Sequence, residues 1–407
     1  MKKLSIILLS MMTFVPMLAQ ERVFHAIVAA DGSGDYTSLN AAIATIPKQH
    51  VDRYIIYVKP GTYREHVHID ASLSNISVIG DDMDKVFIID SLVSGGPKAV
   101  RVELAATVVA AANDVYFEGL SFVNAWGHNR QQGPQALALY TMGDKIALNR
   151  CGLWSYQDTY RTSNGDNARN YLTHCTIEGA VDFIYGSANA YFDACTLLVN
   201  RKKGGYIVAP KHAATTKWGY VFKNCTITAL GNPSETTVWL GRPWSHNPKA
   251  VYINTKAEVN IPAEGWYDHM HGLPAVFAEY NTMNMKGHQM DLSRRINRYY
   301  LINDKKDTLW CTAKNTLTEE EAARYTVDNV MKGNDEWQPT MVCRQLPKVI
   351  VEHRKHSLKW HAMDGAIGYI VYKDGQYLAS IKDTTFRIRH KGQYTVKAIS
   401  QYGAIGK

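Results

Sequence analysis

Hydrophobic positions along this chain alternate in short runs and rarely recur at helical spacing. From Tyr54 onward RYIIYVKPGTYRE, HVHID, NISVIGD and KVFIID follow one another, β-branched and closed by Gly, Asn, Asp or Pro, which is a strand-and-turn pattern. Turns this brief leave no room for crossover helices, so the choice lies between an antiparallel sandwich and a parallel β-helix. A recurring segment decides it. Gly119, Cys151, Cys175, Cys195 and Cys225 stand at equivalent places in FEGLSF, RCGLWS, HCTIEG, ACTLLV and NCTITA, at intervals of 32, 24, 20 and 30 residues. Coils of a solenoid tolerate such variation, because insertions go into loops on one side that shape a cleft. A sandwich has no reason to repeat in this way. The expected fold class is all-β, a parallel β-helix.

Helical spacing appears at two places. In YTSLNAAIATIP, Leu39, Ala42, Ile43 and Ile46 fall on one face and Pro47 stops the run, which predicts a cap over the open apolar end of the solenoid. In LTEEEAARYTVDNVM, Thr318 and Glu321 occupy capping-box positions and Ala322, Tyr325 and Val330 share a face, so a helix closes a main domain of residues 20–340. Strands return around 358–361, 368–372, 386–388 and 394–398, and Asp374-Gly375 marks a hairpin turn. Through LKWHAMDGAIGYIVYKDG and GQYTVKAISQYGAIGK, residues 346–407 resemble a short fibronectin type III module, a small sandwich-like unit expected to act as a non-catalytic spacer or accessory.

The chain opens MKKLSIILLSMMTFVPMLAQ, with an apolar run from Leu4 to about Val15 that is too short to span a bilayer and a small residue at Ala19. Residues 1–19 therefore read as a secretory signal peptide, and the protein as exported, periplasmic or extracellular. No cysteine follows the run, so a lipid anchor is not indicated, and no other stretch approaches a membrane span. Losing the leader takes only Lys2 and Lys3 and lowers the formal charge from +8 to +6. The basic residues are scattered, which fits an acidic polysaccharide outside the cell better than nucleic acid. Of six cysteines, four share the repeat position and are expected to stack inward as packing thiols, with a bridge between coils sterically open. Cys311 and Cys343 lie outside that stack.

Asp158 and Asp182 each follow a repeat cysteine by seven residues, so they are expected on neighbouring coils about 4.8 Å apart. Two carboxylates that close cannot both ionise cheaply, so one is poised to give a proton and the other to attack. Gln135, 23 residues before Asp158, falls about one coil away, and Gln157 adjoins Asp158; amides beside paired acids suggest an oxyanion hole. Arg242, in WLGRPW, is suited to hold the attacking carboxylate ionised. The H-x-H pairs His66/His68 and His269/His271 share a strand face but have no clustered third ligand, so they read as packed or exposed histidines. No G-x-S-x-G, HExxH or Walker loop occurs.

The motifs GDYTSLNAAI, YVKPGTYRE, PQALALY, YQDTY, GAVDFIYGSA and LGRPW occur in that order, and over about residues 25–340 the chain resembles the pectin methylesterase (pectinesterase) family. The resemblance implies a right-handed parallel β-helix, no metal and no cofactor, and hydrolysis of methyl esters on galacturonosyl carboxylates of pectin with release of methanol. It implies Asp182 as nucleophile, Asp158 as general acid and then base, Gln135 and Gln157 as oxyanion donors, and Arg242 orienting Asp182. Trp244 and Tyr185 are expected against sugar rings. Pectin is the expected partner, with no nucleic acid, no membrane insertion and a monomeric state. Tyr140, Tyr160, Ala180, Tyr185 and Ser187 depart from the family's usual residues without removing a group the mechanism needs, which leaves subsite preference open. The loop of His128, Asn129, Arg130 and Gln132 reads as solvated, with substrate contact open. Two competing readings are a β-helix polysaccharide lyase and a non-catalytic carbohydrate-binding solenoid; the joint presence of the acids, the glutamines and Arg242 counts against the second.

Overall fold

The computed structural model describes residues 22–94, 100–163 and 165–407; the expected leader lies outside them. The chain winds into a right-handed parallel β-helix with three long parallel sheets of eleven, seven and nine strands. Each coil gives one strand to each sheet. Ile146–Asn149, Gly152–Trp154 and Tyr160–Arg161 form one coil, and Arg169–Thr173, Thr176–Gly179 and Val181–Gly186 the next.

The corners after seven consecutive strands of the eleven-stranded sheet are each made by one residue in the left-handed region: Gly119, Arg150, His174, Ala194, Asn224, Asn254 and Asn281, with φ between 51° and 64°. That conformation costs a non-glycine residue about 1–2 kcal/mol, offset by hydrogen bonds from corner N–H groups to the next coil, such as Arg150 N to Thr173 O at 3.0 Å and His174 N to Asp193 O at 3.0 Å. This corrects one expected alignment. Ser121 pairs with Gly152, so Leu120, not Gly119, occupies the cysteine position, and Gly119 is the corner itself. A Cβ at 119 would lie 2.3 Å from Gly80 O, which is why that corner is glycine.

Inward-facing residues stack coil upon coil. Phe192, Phe222 and Tyr252 lie parallel at 4.4 and 4.5 Å, and Cys151, Cys175, Cys195 and Cys225 form the expected buried column of free thiols. The helix Leu39–Ile43, capped by Ser38, buries Leu39, Ala42, Ile43 and the following Ile46 against the first coils. The single helix expected after Thr318 is two, Glu319–Ala323 and Val327–Met331. The Thr318–Glu321 capping box is present, but Thr326 caps a second start by accepting from Asn329 N at 3.1 Å. Together with Trp337 and Val342 the second helix covers the outer face of the eleven-stranded sheet, over Tyr171 and Tyr191, so it shields a flank and does not plug an end.

Residues 352–400 form two three-stranded antiparallel sheets with their own core of Leu358, Trp360, Tyr369 and Val371. Asp374 and Gly375, at φ 52° and 76°, turn the hairpin between Ala366–Lys373 and Gln376–Ile381. The unit does not hang free as a spacer. Ile370, Tyr372 and Ile399 join the apolar cluster of Ile55, Tyr57, Ile79 and Tyr116 on the solenoid. Ser77 Oγ donates to Tyr402 O at 2.7 Å, and Ile405 N donates to the buried Glu118 at 3.0 Å.

Candidate active site

The outer face of the seven-stranded sheet carries the expected acids. Gln157 bridges Val181, and Asp158 N donates to Val181 O at 3.1 Å, so Asp158 and Asp182 stand side by side on successive coils. Both adopt left-handed backbone, φ 62° and 50°, and both are 7% exposed. Strained backbone of this kind persists only where neighbours hold it; here the parallel register on either side does.

Gln135 lies on the preceding coil, about one coil away as expected: Ala136 N donates to Gln157 O at 3.2 Å and Ala138 N to Thr159 O at 2.8 Å. The bond from Ala136 N sets Gln135 beside Gln157 in the same way that the bond from Asp158 N to Val181 O sets Gln157 beside Val181. The Gln157 amide fills the space over Gly133, where an added Cβ would come within 2.4 Å of its Oε1.

Arg242 follows the strand Thr237–Gly241 and grips Asp182 with two bonds, Nε to Oδ1 at 2.8 Å and Nη2 to Oδ2 at 2.5 Å. Burial pushes the Asp182 carboxyl up, and Arg242 pulls it back by hydrogen bonding and charge. Among the described residues, Asp158 has no such two-bond partner. Burial, then the neighbouring Asp182 charge, drive it well above the usual carboxylate range, with weaker opposition from Tyr185, Arg161 and Arg242. The two environments separate the pair into a proton holder and a carboxylate held by a cation.

Trp244 is partly exposed at the rim, with Lys211 Nζ 5.5 Å from its ring centroid. Tyr185 is not a second open platform. It is 3% exposed, set edge-to-face under Trp244 at 5.5 Å, and opposite Arg161, whose guanidinium lies over the Tyr140 and Tyr185 rings at 4.6 and 5.6 Å. Strand alternation turns Ile184 into the core and Tyr185 outward, where Trp244 and Arg161 cover its ring at the floor of the groove; its hydroxyl is near enough to Asp158 to bias it but is not closed into a hydrogen bond.

The segment read as a solvated loop begins with a short helix, Ala125–Arg130. Asn129, Arg130 and Gln132 are exposed, but His128 and Gln131 are tied to the buried Glu178 at 3.0 and 3.3 Å, and Asn200 donates to the same carboxylate at 2.5 Å. Sequence reasoning missed Glu178. An acid at a strand position flanked by Ile177 and Gly179 was the available sign. It anchors the loop that leads to Gln135.

A family model described as Pectinesterase matches residues 25–334. A probable pectinesterase/pectinesterase inhibitor of Arabidopsis thaliana is 30% identical over 326 residues, covering 76% of this chain and 48% of that protein. The chain spans about half or less of the length of the first such relatives it matches. Among solved structures, a pectin methylesterase from carrot superimposes with a TM-score of 0.63 at 25% identity, covering 77% of this chain and 94% of that one. One from Erwinia chrysanthemi gives 0.61 at 21% identity over 79% and 99% of the two chains, a likeness of fold.

Proposed function

The chain belongs to the pectinesterase family, and on that premise we propose that it is a carboxylic ester hydrolase that cleaves methyl esters on the galacturonosyl carboxylates of pectin and releases methanol. The observation that carries this reading is the Arg242-gripped Asp182 beside a buried Asp158 that burial and the Asp182 charge drive upward.

Asp182 attacks the ester carbonyl carbon, and the amides of Gln135 and Gln157 donate to the oxyanion that forms. As the tetrahedral species collapses, the ester C–O bond breaks and Asp158 gives its proton to the departing methoxide, leaving an anhydride between Asp182 and the sugar carboxyl. Asp158, now a carboxylate, takes a proton from water. The resulting hydroxide attacks the sugar acyl carbon and frees the uronic acid, which gives its proton to solvent, and Asp182 is restored as carboxylate and Asp158 as acid. Trp244 lies against a sugar ring at the rim of the groove. The protein acts as an exported monomer on pectin outside the cytoplasm, and the C-terminal unit is a non-catalytic accessory.

Asp182→Ala tests the assignment. Methanol release from highly methylated pectin is expected to fall by on the order of 10⁴-fold or more, with binding of pectin retained. Undiminished release removes Asp182 from the nucleophile's role. Following acetate and ultraviolet absorbance in the same assays separates an acetylesterase, or a lyase with an unsaturated product, from the methylesterase.

A further inference from the structure

The reaction leaves unused a row of aromatic rings that starts at the catalytic ion pair and runs toward the C-terminal coils. The Arg242 guanidinium that grips Asp182 also lies over Tyr206 at 4.3 Å. Tyr206 meets Tyr267 at 5.4 Å, Tyr267 meets His269 at 4.7 Å, His269 lies nearly parallel to Tyr300 at 4.6 Å, and Tyr300 meets Trp310 at 4.9 Å. Arg298 sits over Trp310 at 4.3 Å and ends the row.

Strand register builds it. Gln157, Val181, Tyr206 and Trp239 pair one after another on successive coils, so Tyr206 stands one coil beyond the residue preceding Asp182. His269 then pairs with Tyr300, and Tyr300 with Trp310, in a separate sheet that ends at the edge strand Thr308–Thr312. Tyr299 turns into the core, 0% exposed, which sends Arg298 and Tyr300 outward.

Core packing does not account for this row, because every ring in it is at least partly exposed. Trp310 is 51% exposed and Ile302, on the same hairpin, 60%. An apolar edge left open is a liability in water unless something covers it. Pyranose rings carry apolar C–H faces and hydroxyls together, and tyrosine, histidine and tryptophan offer matching apolar rims and polar tips. The stacked middle rings present rims, and Trp310, at the sheet edge, offers the broadest open surface. Arginines stand at both ends. The Asp268 carboxylate lies 2.6 Å from His269 Nδ1 beside the middle, and Arg298 at the far end offers a partner for a uronate carboxylate.

We propose that Tyr206, Tyr267, His269, Tyr300 and Trp310 form an extended binding track for a uronan chain, continuous with the catalytic groove and closed by Arg298. The track takes its ligand class from the esterase reading, and its test separates the two.

The full chain, its Trp310→Ala and Tyr300→Ala variants, and a Trp310→Phe control are compared in two assays. The first is retardation in native gels containing methylated pectin or a neutral cellulose derivative. The second is methanol release from methylated trigalacturonate and from polymer. Each alanine variant is expected to raise KM on polymer about tenfold, the scale of one lost aromatic contact. It should leave kcat and the trimer kinetics unchanged and lose retardation by pectin only, while Trp310→Phe recovers most of both. Unchanged KM on polymer and unchanged retardation overturn the track, as does an equal loss on trimer and polymer. A wild type that releases no methanol overturns the esterase reading alone, because pectin-specific retardation lost on Trp310→Ala still upholds the track.

Discussion

At the scale of single residues, the division of labour proposed for the two aspartates rests on one guanidinium and one hydroxyl. Arg242 opposes the upward shift of Asp182, and the Tyr185 hydroxyl bears on Asp158. Tyr185 fills a slot expected to hold a sugar-facing ring, yet it is buried with its hydroxyl unpartnered beside Asp158. In the proposed cycle Asp158 alternates between acid and carboxylate, and only the carboxylate gains from a donor, so the hydroxyl favours the ionised form and lowers that carboxyl's pKa. Tyr185→Phe keeps the ring against Trp244 and removes that donor. The Asp158 pKa should rise further, because the hydroxyl beside it opposes the upward shift, and move the limb of the kcat–pH profile that it governs toward higher pH. Because water activation needs the ionised form, rapid mixing near neutral pH should also reveal a methanol burst ahead of a slower steady state. An unshifted profile with a raised KM would return Tyr185 to the role of a sugar contact.

At the scale of elements, coils are held to one another by backbone register and by a few buried side chains that bridge them. His212, 0% exposed just past the strand Lys203–Pro210, accepts from Lys249 N at 3.1 Å through Nδ1 and lies 3.2 Å from Ala188 O through Nε2, so the neutral ring links three segments. Burial pushes its pKa down to about 3, against an ordinary value of 6.5. Below 6.5 the unfolded chain takes up a proton that the folded ring refuses. The contribution is therefore fully present above pH 6.5 and is lost as pH falls toward 3, at about 1.4 kcal/mol per pH unit. Thermal unfolding followed from pH 7 to 4 should show this slope, and His212→Gln should flatten it while lowering Tm at pH 7; an equal slope in both proteins would move the acid lability elsewhere. Bridges of this kind are invisible in sequence, because nothing local to His212 names Lys249 or Ala188 as its partners. What could be read was periodic. Four cysteines at one repeat position set the coil register, and a fixed step of seven residues carried that register to both acids. It slipped by one residue at Gly119, a left-handed corner that resembles a strand start. The helix after Thr318 was legible as a start, but its second cap, Thr326, was hidden inside a continuous apolar stripe.

At the scale of the whole molecule, the eleven-stranded sheet faces outward with an apolar row, and the chain supplies its own cover. Ile55, Tyr57, Ile79 and Tyr116 belong to one cluster with Ile370, Tyr372 and Ile399 of the C-terminal unit. The run GYIVY could have announced this, since a strand buried on both faces loses its polar alternation. The docking is polar as well: Glu118, 0% exposed, pairs with Arg150 and takes an N–H from Ile405, and Tyr372 OH donates to Asp81 at 2.5 Å. Deleting residues 346–407 thus uncovers a sheet face and removes a donor from a buried carboxylate. At about 1.5–3 kcal/mol for each large apolar side chain returned to water, the loss approaches the whole stability of an ordinary domain. The truncated protein is expected to bind ANS, to aggregate or to unfold well below the full chain, and to lose methanol release in step with unfolding. Ile399→Glu, which keeps the unit but places a charge in the seam, should lower Tm in the same direction and separate undocking from deletion. A truncated protein with unchanged Tm and no ANS signal would make the unit an independent appendage. The coils make that outcome the unexpected one, because each is a single continuous segment: the strand under the C-terminal unit and the strand bearing an aspartate are parts of the same turn, and loosening one wall of the solenoid lets the other shift.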